Sequence, residues 1–203
     1  MPVQLNYVYS SSSALLKTTC FIEYDEADRI IKMSQDNRYF SYEYDGNDNP
    51  VSRSLYARQS ATSPFELSET IFYRYNPQNY LDSTIYSESH YSRYEYDGDG
   101  NLVKEYLKYY GDPEVLSREY LAFDDKKNPF IDSNFTVFAV LTATPTYVTG
   151  LKLPWVSNHN VLNENRRLND GTTQNRTYNF EYNELGLPTF CQETQITYQY
   201  ECK

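Results

Sequence analysis

The chain lacks most of what catalytic and metal-binding sites are built from. It has only 7 glycines in 203 residues, and no glycine-rich run that could cradle a phosphate. His90 and His159 are its whole supply of imidazole. No G-x-S-x-G elbow accompanies them, and both read as surface or edge-strand residues. The three cysteines, Cys20, Cys191 and Cys202, form no C-x-x-C and no Cys/His group at zinc spacing. An odd count leaves at least one thiol unpaired within a chain. The thiols therefore read as buried or incidental, with a Cys191–Cys202 bridge as the alternative. The expectation is no metal, no cofactor and no catalytic residue.

Positive charge is scarce. Lys and Arg number 18 against 28 Asp and Glu, a net charge of −10. That excludes nucleic acid as a partner, since its phosphates demand cations, and it disfavours docking on anionic lipid. Long apolar runs are missing too. With no 18-residue hydrophobic stretch, no transmembrane helix is expected. No signal peptide is visible, because Met1-Pro2 runs straight into Val3-Gln4-Leu5-Asn6-Tyr7-Val8-Tyr9. Membrane attachment could then come only through a lost lipid anchor. Helical spacing of apolar residues is weak throughout.

Tyrosine is abundant: 23 residues, against 10 Phe and one Trp, in a chain that is only 39% apolar. A tyrosine packs through its ring and keeps its hydroxyl wet, which suits a half-exposed strand surface. Period-two alternation predicts strands over 3–10, 20–25, 29–35, 38–45, 51–57, 69–76, 80–87, 90–97, 102–109, 117–124, 135–142, 160–167, 175–183, 187–192 and 195–201.

Six stretches fit one hairpin template, in which an apolar residue, a spacer and an aromatic precede Asp or Asn. They are Ile22-Glu23-Tyr24-Asp25, Tyr42-Glu43-Tyr44-Asp45, Tyr73-Arg74-Tyr75-Asn76, Tyr94-Glu95-Tyr96-Asp97, Leu121-Ala122-Phe123-Asp124 and Phe180-Glu181-Tyr182-Asn183. Three positions further stands Asp28, Asp48, Asn79, Gly100, Lys127 or Gly186. Five positions further stands Ile30, Pro50, Leu81, Leu102, Pro129 or Pro188. A type I turn favours Asp or Asn at its first position and a residue tolerant of positive φ at its fourth. Each Asp or Asn should therefore open a tight hairpin turn, with Gly100 and Gly186 at positive φ. The spacing between units is irregular, which argues for a meander with variable loops over a strict solenoid. The fold class is all-β: an antiparallel up-and-down meander of repeated hairpins, curled into an open or closed barrel of about 12–15 strands. It forms a single domain, 1–203, with a non-repeat apolar segment at 128–160.

Apparent chemistry dissolves into this template. Asp97-Gly98-Asp99-Gly100-Asn101 resembles the start of a calcium loop, but its sixth and twelfth positions hold Leu102 and Lys108 where Gly and Glu are required. Glu23, Glu43, Glu95 and Glu181 occupy one template position, as a solvated sheet face gives. The aromatic stripes read as cross-strand packing pairs, with a sugar- or peptide-binding surface as the alternative. Segment 128–160 is the most apolar part of the chain and holds the only Trp. Either it plugs one end of the sheet or it lines a ligand site, with Trp155, Phe138 and Tyr147 as the ligand-binding residues.

The form Tyr94-Glu95-Tyr96-Asp97-Gly98-Asp99-Gly100-Asn101-Leu102 resembles the YD repeat of RHS-type bacterial surface proteins. Three further stretches are similar to uncharacterised secreted lipoproteins of Bacteroides-type gut bacteria. They are Phe123-Asp124-Asp125-Lys126-Lys127-Asn128-Pro129-Phe130, the stretch 158–171, and the run from Tyr178 to Thr189. This resemblance covers most of the chain from about residue 20 onward. It implies export, a lost lipoprotein signal and a porin-like curled sheet, and it brings no activity or catalytic residue. The chain departs from the pattern at Asp28, Asp48 and Lys127, where Gly is usual, and in lacking the signal peptide and lipobox. The expected function is a non-enzymatic cell-envelope binding protein, exported to the periplasm or outer-membrane surface. Its ligand would be a glycan, a small apolar molecule or a partner protein. The alternatives are a surface polysaccharide-processing enzyme and a purely structural shell.

Overall fold

Alternating small, polar and aromatic residues give strands and turns, and no helix occurs among the described residues. The computed structural model describes residues 3–11, 14–128, 157–193, 196 and 197. The chain divides into two units, residues 1–73 and 74–203. The first carries β1 (Val3–Ser11), β2 (Ala14–Tyr24), β3 (Ile30–Gln35), β4 (Arg38–Tyr44), β5 (Pro50–Ala57) and β6 (Glu66–Tyr75). Each pairs antiparallel with the next. The second carries β7 (Leu81–Ser87), β8 (His90–Tyr96), β9 (Leu102–Tyr109), β10 (Val115–Lys127), β11 (His159–Arg167) and β12 (Thr173–Thr177), again paired in chain order. It also carries a separate sheet of β13 (Phe180–Tyr182), β14 (Pro188–Cys191) and β15 (Ile196–Thr197). The architecture is thus the expected antiparallel meander. Among the described residues, neither unit's sheet is closed by a pairing of its first strand with its last.

Five of the six template sites form one turn, defined by two backbone hydrogen bonds. At Asp25 the N–H of Asp25 donates to Arg29 O and that of Asp28 to Asp25 O; the same two bonds recur from Asp45, Asn76, Asp97 and Asn183. The fourth residue is left-handed every time: Asp28 (φ 60), Asp48 (63), Asn79 (67), Gly100 (78) and Gly186 (73). Each first residue's Oδ1 accepts two further N–H groups, at Asp97 those of Asp99 and Asn101 at 3.0 and 2.8 Å. The fifth residue completes the cap at three sites. Arg29 Nε, Asn49 Nδ2 and Asn101 Nδ2 each donate to the second carboxylate oxygen. Burial opposes ionisation of Asp97, but the amides of Asn101 and the N–H of Asp99 outweigh it and hold its carboxyl below the usual 3.8. Leu168 to Thr172 adopts the same turn, with Gly171 at φ 83, although Leu168 supplies no side-chain cap.

The residue after each turn is buried: Ile30, Pro50, Leu81, Leu102 and Pro188. So is the template's first position in Ile22, Tyr42, Tyr73 and Tyr94. The glutamate position is exposed or half-buried in all four predicted cases. Its ion pairs, such as Lys32–Glu23 at 2.8 Å, contribute at most about 1 kcal/mol each in that setting.

Three expectations fail. Stretch 175–183 is not one strand: β12 ends at Thr177 and a second sheet starts at Phe180, where Glu193 binds the backbone and side-chain amides of Asn179. His90 is not on the surface. It is 7% exposed, stacked on Tyr86 at 4.6 Å and edged by Tyr109 at 4.8 Å. Asp124 opens no tight turn, and Leu121 is exposed where the template buries its first residue. β10 shifts register between Tyr120 and Ala122, so Tyr120 is buried in its place. Cys191 is buried with a free thiol. The strand expected at 135–142 lies outside the described residues.

Candidate functional site

Asp124 explains its own departure from the template. Its Oδ1 accepts the N–H of Lys126 at 3.1 Å and of Asn160 at 3.0 Å, and its Oδ2 accepts Asn160 Nδ2 at 2.9 Å. These are the three bonds Asp97 receives from Asp99 and Asn101. Register agrees: Phe123 pairs with Val161 as Tyr96 pairs with Leu102, and Val161 is buried like Leu102. Asn160 is therefore the fifth residue of the sixth turn, and the intervening segment is an insertion into that turn. Asn128, which follows Asp124 by four positions, is released from capping.

The two ends of the insertion are fastened to the neighbouring template turn. Asn128 donates its N–H to Asn158 O at 2.8 Å and its Nδ2 to Ser157 O at 2.9 Å. Ser157 Oγ accepts the N–H of Leu102 at 3.2 Å. Asn101 Oδ1, already on a capping side chain, also accepts the N–H of His159 at 3.0 Å and faces His159 Nδ1 at 2.9 Å. Asn158 reaches Asp99 O and Gly100 O. The centre of this clamp is buried, with Ser157 0% and Asn128 2% exposed, while Asn158 and His159 are half-buried. Each buried amide has a partner, so the cluster fixes the stem at little desolvation penalty. Tyr182 closes the arrangement by donating its hydroxyl to Asp124.

Gly100 is where the two turns meet. A Cβ there would collide with Asn158 Nδ2 and with the Tyr80 hydroxyl. Neither can yield easily, since Tyr80 stacks on Tyr96 at 4.9 Å and Asn158 is bonded to Asp99. Gly100→Ala should therefore cost about 2–4 kcal/mol, combining the left-handed penalty with overpacking. Gly186→Ala, whose Cβ would meet only Lys126 Cδ at ordinary contact distance, should cost about 1–2 kcal/mol. Urea unfolding of the two variants checks the order.

At the opposite end of β11 the same face carries a charged cluster. Arg118 lies between two buried carboxylates, Glu105 at 3.5 Å and Glu164 at 3.6 Å. Tyr178 donates to Glu164 at 2.8 Å. Burial drives the Tyr120 hydroxyl well above its usual range and that of Tyr178 to about 12. Sequence patterning missed Glu105, Arg118 and Glu164, because charge at an inward strand position reads as a solvated face until its partners on the neighbouring strands are known. The predicted ligand residues Trp155, Phe138 and Tyr147 lie outside the described residues. No group of three His, Cys, Asp or Glu side chains suited to a metal ion occurs among the described residues, and Asp97 serves as a turn cap. No helix there is long and apolar enough to cross a membrane.

No protein-family model matches the chain, and no curated protein matches it. Among solved structures it is similar to a porin-like protein from Bacteroides uniformis, at 14% sequence identity and a TM-score of 0.46, covering 93% of this chain and 87% of that one.

Proposed function

We propose that this is an exported, non-enzymatic binding protein of the cell envelope, and that the segment inserted into the sixth turn is its recognition element. The observation behind this reading is the clamp of Asn101, Asn128, Ser157 and His159. The other template turns join their strands with three residues between the capping residue and the fifth position. The sixth spends a long segment on the same task and roots both ends in a buried polar cluster. Variable segments on a rigid β scaffold are where binding residues concentrate. The ligand in this reading is a glycan, a small apolar molecule or a partner protein, contacted by Trp155, Phe138 and Tyr147. Envelope location is supported by the likeness of the turn template to bacterial surface proteins.

Trp155 is the sole tryptophan, so its emission reports on the insertion alone. Titration with oligosaccharides, lipid vesicles and peptides should shift that emission for one ligand class. Phe138→Ala and Tyr147→Ala should weaken the response. An emission unmoved by every class favours a structural shell, and turnover of a surface polysaccharide by the purified protein would overturn the non-enzymatic reading.

A further inference from the structure

Arginines crowd one end of β11 and β12 on the face that carries Glu105 and Glu164. Arg118 stands directly opposite Arg166 across β10 and β11. Arg166 stands opposite Gln174 and Glu164 opposite Arg176 across β11 and β12, so Arg176 is diagonal to Arg166. Like charges directly opposite on a sheet repel. The two carboxylates of the cluster compensate Arg118, whereas no Asp or Glu among the described residues is within ion-pair distance of Arg166. Arg176 is engaged with Gln174 Oε1 at 3.1 Å. Burial, then the charges of Arg118 and Arg176, lower the pKa of Arg166 from 12.5, with Glu164 and Tyr178 offsetting them only in part. Beside it opens a cavity of about 380 Å³ lined by Arg166, Arg167, Leu168, Asn169 and Asp170. It adjoins the template-type turn whose first residue, Leu168, carries no capping side-chain oxygen.

We propose that Arg166, backed by Arg118 and Arg176, is an oxyanion subsite that takes a carboxylate or sulfate group of the size carried by an acidic monosaccharide. A guanidinium presents two parallel donors to such a group, and the cavity leaves room for one sugar ring beside it. The net negative charge of the protein does not forbid this, since repulsion from carboxylates outside the cavity is screened beyond about 8 Å at physiological salt, and Asp170, the carboxylate in its lining, is engaged by the N–H and hydroxyl of Thr172. The site sits at the far end of β11 from the insertion stem, so it stands or falls independently of the recognition element proposed above.

The test is calorimetric titration of the full chain with sodium glucuronate, sodium sulfate and glucose at fixed ionic strength. Glucuronate should bind and glucose should not. Sulfate binding as well as glucuronate identifies a bare oxyanion site, and glucuronate binding alone identifies a carboxylated sugar. Arg166→Gln should weaken glucuronate by about tenfold or more, and Arg166→Lys by less. Arg74→Gln, at an exposed position away from the cluster, should change nothing. Equal affinity in Arg166→Gln and the unaltered protein would overturn the proposal, as would no heat with either anion. Far-UV circular dichroism of each variant confirms that it is folded.

Discussion

Replacing Arg118 with alanine should destabilise the second unit by about 3–5 kcal/mol, the cost of leaving buried charge without its partner. Glu105 and Glu164 lie on either side of Arg118, and Glu164 is 1% exposed. Without the guanidinium the two carboxylates repel each other where solvent cannot screen them. Adding Glu105→Gln and Glu164→Gln to Arg118→Ala should recover much of the loss at neutral pH. A full-sized deficit in the triple variant would show that packing, and not charge, accounts for the role of Arg118.

The second large effect is alkaline unfolding. The protein buries tyrosine hydroxyls where most proteins bury aliphatic carbon. Burial raises Tyr73 from 10.0 to about 12. Burial also raises Tyr94, Tyr96 and Tyr120 well above the ordinary tyrosine value. A group that holds its proton more tightly when folded contributes stability that is complete below its unfolded pKa and lost as pH rises through the folded value. For Tyr73, nearly enclosed, that contribution is about 2–3 kcal/mol. Stability should therefore be flat up to pH about 10 and fall steeply toward 12, with phenolate absorbance and loss of strand signal appearing together. Tyr73→Phe should soften the fall. Phenolate formation well before unfolding would show the rings to be wetter than described.

Sequence reading recovered the turns because their determinants are local. An Asp accepts from its own backbone two and four residues on, and the left-handed position tolerates few side chains. It missed two things of opposite kind. The capping partner at the fifth position, Asn49 or Asn101, was legible from spacing alone once the carboxylate's second oxygen was considered. Asn160 was not, since it replaces Asn128 across an insertion and only strand register reveals it. His90 was misplaced because its strand neighbours are polar; Tyr86, Tyr109 and Tyr110, which enclose it, come partly from the next hairpin. The Glu105–Arg118–Glu164 cluster has the same character. Each residue alone reads as surface, and only the pairing of β9, β10 and β11 brings them together.

Residues between Lys126 and Asn160 form an insertion into a turn whose capping bonds are otherwise complete. The most direct test replaces 127–159 with one glycine, giving Asp124-Asp125-Lys126-Gly-Asn160, and follows urea unfolding by circular dichroism. The expected product is a folded all-β protein that unfolds in a cooperative transition and is destabilised further by Asp124→Ala, because the cap then closes on Asn160 as Asp97 closes on Asn101. An aggregated or non-cooperative product, or an Asp124→Ala change without effect in the shortened chain, would contradict it.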